Sequence, residues 1–586
     1  MEATTIPQFL ENPVTTEIIR NAFISAAEEM NARLARSAYS PIIYEMKDCS
    51  VCLFNKDAEL LGQSAGLPIF MGNLDGCIKY TTELIGGREN YREGDLYIMN
   101  DSYITGTHLN DITVFSPIFY KDQLVGFTAN RAHWLDIGAK DPGYPMDATE
   151  IYQEGVRIPP TKIYDAGKAR QDVIDLIVGN SRLRDAAMGD LNAQIAACRT
   201  GEQRYQEIME RFGMETVERS IADIFTQSEL MDKEIISSIP DGIYEAQGCL
   251  DNDGVTDEPV PVKVKVVIQG DAITIDLTGS SPQRPGQTNC GFSQTISACR
   301  VAFKNLISPH SPVTGGNFRT MHVVTPERTI FHAQQPAACG WYFTPLGILI
   351  DLIIKALSPV LKDRCAAAHY GDSMVITFAG TDPVTQSPFL SVEATAGGWG
   401  AFAAGDGESG LINNVNGDFK NLPIEVIESK YPLKVLHYGF RQDTGGPGAN
   451  RGGLGISKGY QVLADLASLS LWFDRSKTTA WGLFGGKSAV APEVVIKSSE
   501  TEEKWLKVNA KSLKLNSRVI ANSGGGGGFG HPFDRDPQKV RDDVIDEYIS
   551  QEAALLQYGV VFKSGTAEVD EEQTRNYREQ NRVARE

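Results

Sequence analysis

The chain has 586 residues, 42% apolar and 22% charged side chains, and a net charge of −20. That is the composition of an ordinary globular protein long enough for several domains, and the acidity argues against a nucleic-acid or anionic-membrane partner. No run approaches the roughly 18 apolar residues of a membrane span, and the opening MEATTIPQFLENP has neither the basic nor the apolar region of a secretory leader. Nine scattered cysteines form no disulfide framework, so a reducing, cytoplasmic setting is expected.

Residues 13–38 carry Ile18, Ile19, Ala22, Phe23, Ala26, Met30 and Leu34 at helical spacing, with Pro41 beyond the end. Strands are expected at 50–54 and 59–61. Cys49 and Cys52 form a lone C-x-x-C there; without a second pair it reads as structural rather than as a zinc site. Asp48, at the entrance to the first strand, suits a turn residue or a carboxylate reaching a site elsewhere. A loop over 62–70, a helix over 73–84 and a strand over 94–100 follow.

The chain then reaches its densest group of ligand-capable side chains: Asp101, His108, Asp111, Arg131, His133 and Asp136. Two β-rich runs, 113–120 and 124–130, flank Lys121-Asp122-Gln123 in the pattern of a hairpin. With a three-residue loop centred on Asp122, position 111 lies opposite 133, and opposed Cβ atoms sit about 4.5–5.5 Å apart. With a two-residue loop the register slips by one. In the first register His108 folds back from its Gly-Thr-His turn to join Asp111 and His133. Two imidazoles and a carboxylate then form the donor set of a metal site with open positions. Each residue alone also suits a hydrogen-bonded structural role. The clustering brings the metal level with that structural role, because two of only 8 His fall here beside three Asp.

Beyond the cluster, Glu150, Glu154 and Arg157 in EIYQEGVRIPP suit either the lining of a cleft or a solvated turn, and their spacing favours the turn. Helices are expected over 172–179, 185–211 and 215–237, and Ile239-Pro240-Asp241-Gly242 marks a domain boundary. Short alternating strands follow at 244–250, 262–268 and 273–277, then helices at 288–306 and within 343–361. Residues 364–460 read as Gly-rich and strand-poor. DTGGPGANRGGLG (443–455) lacks the order of a phosphate loop, and the five glycines at 524–528 precede an expected helix at 537–555. The tail from 564 reads as frayed or extended. No nucleophile elbow is present, so catalysis rests on the central cluster. The expected fold is α+β and multidomain, with mixed and antiparallel sheets and helical segments. Its expected regions are an N-terminal metal-site region (1–238), a strand-rich middle domain (239–365) and a Gly-rich C-terminal region with a terminal helix (366–586).

NDSYITGTHLNDITVFSP and RAHWLDIG resemble the signature of the hydantoinase B family. The resemblance extends through RSAYSP, KDCSVCLF, EIYQEGVRIPP, GDLNAQIAACRTGEQR, LTGSSPQRPGQTNC, QQPAACG, GLFGG and GGGGGFGHPFDRDPQKVRDDV. It implies a divalent metal, zinc or manganese, on His108, Asp111 and His133, with Asp48 as a further carboxylate; Asp136 closes the A-H-x-x-D motif and is expected to be catalytic with them. It also implies a hetero-oligomer in which a hydantoinase A-like partner binds ATP. ATP-dependent phosphorylation of a carbonyl or enolate oxygen would precede cyclic-amide hydrolysis or carboxylation by bicarbonate. Many hydrolytic members carry Q-x-x-H-x-P-x-H-x-G where this chain has Gly66 and Phe70 in place of both His. That departure leads us to expect an apolar substrate pocket and a carboxylase component of the acetophenone type, making benzoylacetate through a phosphorylated enol. An N-methylhydantoinase- or 5-oxoprolinase-type hydrolase and a scaffold with a purely structural metal are the alternatives.

Overall fold

The structure, a computed structural model, describes residues 12–498 and 501–582. The opening segment to residue 11, on which the leader reading chiefly rests, lies outside the described residues. The fold is α+β, with four sheets among the described residues.

The first sheet carries the site. Its strands are β1 (Cys49–Asn55), β2 (Leu60–Gln63), β3 (Leu96–Met99), β4 (Asp111–Tyr120), β5 (Gln123–His133), β6 (Thr161–Asp165) and β7 (Lys168–Ala169). They pair antiparallel in the order β2-β1-β5-β4-β3-β6-β7. β4 and β5 are central and buried on both faces, as their near-continuous apolar runs require. The helices Pro13–Ser37 and Arg184–Phe212 pack together over one face, and Leu74–Leu84 covers part of the other. Cys49 and Cys52 fall in different clusters on opposite faces of β1, so they do not form a shared metal site.

Lys121 and Asp122, both left-handed at φ 48° and 63°, make a two-residue turn. Such a turn alone slips the register. A bulge restores it: Tyr120 pairs with Gln123 and Phe119 with Leu124, but Ile118 pairs with Gly126, and Val125 is bypassed. The Tyr205 hydroxyl donates to the Val125 carbonyl at 2.9 Å. Gly126 admits the Phe54 carbonyl, which would lie 2.3 Å from an added Cβ. Asp111 therefore pairs with His133, the expected register reached through a different loop.

Arg184–Phe212 and Met214–Ser237 are separated at Gly213, whose φ is 80°. Past the expected boundary come β8 (Gly242–Leu250), β9 (Val260–Gln269), β10 (Ala272–Asp276) and β11 (Met321–Val324) in the order β11-β10-β9-β8. The alternating burial of β9 directs Val260, Val262, Val264 and Val266 towards the helix Phe343–Leu357.

The strand-poor reading of 364–460 is overturned. Val375–Thr381, Pro388–Ala394, Leu433–Phe440 and Ile456–Val462 all enter two antiparallel sheets with later strands. Several are buried on both faces, so no alternation marks them against the surrounding glycines. The glycine run at 524–528 threads between other backbones. Gly526 N–H donates to the Gly453 carbonyl at 3.0 Å, and its own carbonyl accepts from Gly446 N at 2.8 Å. A Cβ at Gly526 would sit 1.9 Å from the Trp399 carbonyl oxygen. The N–H groups of Gly525, Gly526, Gly527 and Gly528 are taken up by carbonyls. The helix expected over 537–555 is two, Pro537–Ile545 and Gln551–Tyr558, and the tail forms a further helix, Glu571–Asn581, capped by Asp570.

Candidate metal centre

Three ligand atoms meet at the open end of the β4–β5 hairpin. His108 Nε2 lies 3.0 Å from Asp111 Oδ1 and 3.1 Å from His133 Nδ1, and His133 Nδ1 lies 3.1 Å from Asp111 Oδ1. Asp111 and His133 face each other as directly paired residues. His108 reaches them because Gly106, left-handed at φ 81°, ends the short helix Ser102–Thr105 and turns the chain back. The three side chains are buried.

The surroundings fix each group. The Gly340 carbonyl, which can only accept, takes the His108 Nδ1 proton at 3.0 Å, so Nε2 is the nitrogen that offers a lone pair once it gives up its own proton. The Tyr342 hydroxyl donates to Asp111 Oδ2 at 3.0 Å. The Tyr144 ring lies over His108, with centroids 5.7 Å apart and planes at 26°. Asp48 lies directly beside them, its carbonyl accepting from His133 N at 3.1 Å. Asp48 Oδ1 and His133 Nε2 are buried with no hydrogen-bond partner.

The electrostatics are in tension. Burial, and then the Asp111 charge, push the Asp48 carboxyl well above the usual range. Asp111 moves the opposite way: burial opposes ionisation, but the His108 charge and the hydrogen bonds from both imidazoles hold it low. His108 is raised against its burial by the Asp111 charge and hydrogen bond, while burial and His108 lower His133. Two carboxylates and two imidazoles crowded out of water are costly without a cation. Ions bound at about 2.0–2.2 Å by N and O donors hold those donors at such mutual distances. The orphaned Asp48 oxygen, the lone pair on His108 and the all-N/O donor set fit a divalent ion, and suit zinc and manganese alike.

Phe70 lines the same cavity, with the Arg131 guanidinium 5.6 Å from its ring centre. Gly66 lies outside the lining, against Ser50 and the Cys49 carbonyl. Asp136 is not brought into the group: its carboxylate accepts from Arg182 Nη1 and Arg182 N, both at 2.7 Å. Asp101 caps the helix Ser102–Thr105 and pairs with Arg157 at 3.5 Å. The solvated-turn reading fails for Glu154, which is 2% exposed. It accepts from Gln287 Nε2 and Gly340 N at 2.8 Å and from Cys339 N at 3.1 Å. Glu154 thus holds the loop whose carbonyl orients His108. Tyr342, Tyr144 and Glu154 were missed because their partners are distant in sequence; Tyr342 and Asp111 are 231 residues apart.

The cavity over the cluster has a volume of about 40 Å³. Its walls come from every part of the chain: Phe70 and Tyr144 from the N-terminal region, Phe343 from the middle, and Val375, Val392 and Phe419 from the C-terminal region.

The hydantoinase B/oxoprolinase family model matches residues 12–532. The B component of a putative D-/L-hydantoinase from Pseudomonas sp. (strain NS671) is 32% identical, over 97% of this chain and 98% of its own length. The beta chain of caprolactamase from Pseudomonas jessenii is 30% identical, over 97% and 99%. The crystal structure of the ATP-dependent caprolactamase from that organism matches with a TM-score of 0.90 and 29% identity, over 97% of this chain and 99% of that one. A nucleotide-free acetone carboxylase structure also gives a TM-score of 0.90, over 98% and 83%, but at 20% identity the likeness is one of fold.

Proposed function

The chain belongs to the hydantoinase B/oxoprolinase family, and from that premise we propose that it is the metal-bearing subunit of an ATP-dependent complex that opens a cyclic amide, a hydantoin or a lactam. The observation that carries this reading is the convergence of His108, Asp111 and His133 beside Asp48 in a buried cavity. Identity of 30–32% across the whole chain with proteins named for hydantoin and caprolactam favours an amide over a ketone. The partner in this reading is a hydantoinase A-like protein that binds ATP, in a cytoplasmic hetero-oligomer. Relatives named as subunits support the partner, and nine free cysteines suit the compartment.

A divalent ion held by the cluster supplies Lewis acidity. The chain's own groups do the rest. Glu154, through Gly340, sets the tautomer of His108, and Tyr342 holds Asp111 in one orientation. Phe343, Val375 and Phe419 keep bulk water from the reacting groups. In this reading the wall moves to admit a substrate, since about 40 Å³ has room for a few waters and not for a cyclic amide.

Phe70 supports a second reading, carboxylation of an aromatic ketone such as acetophenone through a phosphorylated enol and bicarbonate. It puts an aromatic ring in the wall at a position where the resemblance places His in many hydrolytic members. The test is ATP consumption by the chain with its ATP-binding partner on hydantoin, caprolactam and 5-oxoproline, against acetophenone with bicarbonate. Turnover of a cyclic amide without bicarbonate is expected, reduced at least 100-fold in His133→Ala. Bicarbonate-dependent ketone turnover selects the second reading. Full activity in His133→Ala selects the scaffold.

A further inference from the structure

A second cavity, of about 660 Å³, lies across the wall that closes the metal cavity. Pro68, Met71 and Gly417 face this chamber, while Leu67, Phe70 and Asn416 from the same two segments face the metal cluster. Its volume is that of a small-molecule site.

The lining charges are unusual for a chain of net charge −20. Lys79, Arg300, Lys304, Arg319 and Arg364 stand against Glu59, Asp75 and Asp351. Lys79 and Arg300 pair with Asp75, and Arg319 pairs with Glu59. Among the described residues Lys304 and Arg364 have no carboxylate within ion-pairing distance, the nearest influence on Lys304 being the buried carboxylate of Asp232. Lys304 Nζ donates only to Ser308 Oγ at 3.0 Å and Ser311 Oγ at 2.6 Å. Arg364 donates through Nη1 to the carbonyls of Leu306 and Ile307 at 3.0 and 3.2 Å. Those bonds cap the helix Phe292–Ile307, whose C-terminal end attracts cations. They leave Arg364 Nη2 and Nε without protein partners among the described residues.

An independent feature lies on the same lining. His369 is 2% exposed and donates from Nδ1 to Asp351 Oδ2 at 2.8 Å. Asp351 is itself held by Arg475 at 2.7 Å and Asn414 at 3.0 Å. Asn414 Nδ2 also lies 3.2 Å from His369 Nδ1, and Nε2 is buried with no partner. The remaining walls, among them Val301, Phe318, Ile350 and Ile354, are apolar.

We propose that this chamber is a second ligand site, for a small organic anion with an apolar body. The anionic group lies at Lys304 and Arg364, the body against Val301, Phe318 and Ile354, and a polar group of the ligand faces His369 Nε2. The inference does not depend on which reaction the metal cavity performs. A carboxylate and a phosphate monoester share this chemistry.

The probes are benzoate, phenyl phosphate and inorganic phosphate, each titrated calorimetrically into the full chain. At least one organic anion is expected to bind one-to-one, about tenfold more tightly than inorganic phosphate, and the tighter of the two identifies the acid group. Binding is expected to weaken about tenfold in Lys304→Met and in Arg364→Met, to recover in Lys304→Arg, and to persist in His133→Ala. Arg364 is exposed, so its substitution removes a helix cap but opens no core, and far-UV circular dichroism of both variants separates lost binding from lost folding. No saturable binding at millimolar concentration overturns the proposal. So does binding unaltered by both methionine variants, or binding lost in His133→Ala. Equal affinity for inorganic phosphate overturns the apolar body.

Discussion

Glu154 acts on the metal cluster without touching it. Its carboxylate accepts two backbone N–H groups and an amide of Gln287, and so fixes the loop whose Gly340 carbonyl takes the His108 proton. Burial pushes its carboxyl up to about 7 from an ordinary 4.5. Between those values the folded chain binds more protons than the unfolded one. The group's contribution to stability is therefore present below about 4.5 and is lost as the pH rises through about 7, amounting to about 3 kcal/mol. Glu154→Gln cannot ionise. Urea unfolding at pH 4.5, 6 and 7.5 should show wild type losing stability relative to this variant across the window; a constant difference would place the ionisation elsewhere. At this scale the chain was partly legible. His108, Asp111 and His133 lie in one hairpin and its entry turn, so local spacing exposed them. Glu154 looks like a surface residue until the loop around residue 340 closes over it.

The hairpin shows how an element corrects its own turn. A two-residue turn at Lys121 and Asp122 and a bulge at Val125 cancel, and Asp111 meets His133. The bulge is held by the Tyr205 hydroxyl and by the close approach of Phe54 at Gly126. Gly126→Ala places a methyl group 2.3 Å from a backbone oxygen. It should cost about 2–3 kcal/mol, as overpacking of a tight interior does. The ligands should then lose their opposition, so calorimetric zinc affinity should fall together with the urea midpoint. A stable variant with unchanged affinity would show that the bulge does not set the register.

At the scale of the whole molecule, the metal cavity is a junction. Its candidate ligands come from the first sheet and the segments that enter it, Tyr342 and Phe343 from the start of a helix, and Val375, Val392 and Phe419 from the C-terminal region. Trp341 stacks on Trp472 with ring centroids 4.8 Å apart and planes at 3°, tying the segment that carries Tyr342 to a C-terminal strand. One apolar cluster runs from Ile19 to Phe529 across all three expected regions. Trp472→Ala should therefore cost about 3–5 kcal/mol. Tryptophan fluorescence and far-UV circular dichroism should report one shared shift in its urea transition. Separate transitions would mean that the three regions fold independently.

Local spacing was sufficient for most of the helices, for the existence of the hairpin, for the gathering of His108, Asp111 and His133 at its open end, and for the resemblance to a family. Each depends on neighbours along the chain or on a pattern repeated within a few turns or strands. Tertiary structure alone decided the bulge beneath the turn, the burial of Glu154 and the hydroxyl of Tyr342 on Asp111. It also set Asp136 against Arg182, threaded the glycine run between other backbones, and closed the cavity with C-terminal side chains. The physical reason is common to all of them. Burial and hydrogen-bond satisfaction are set by groups brought together from distant parts of the chain, and no local period encodes which distant segment arrives.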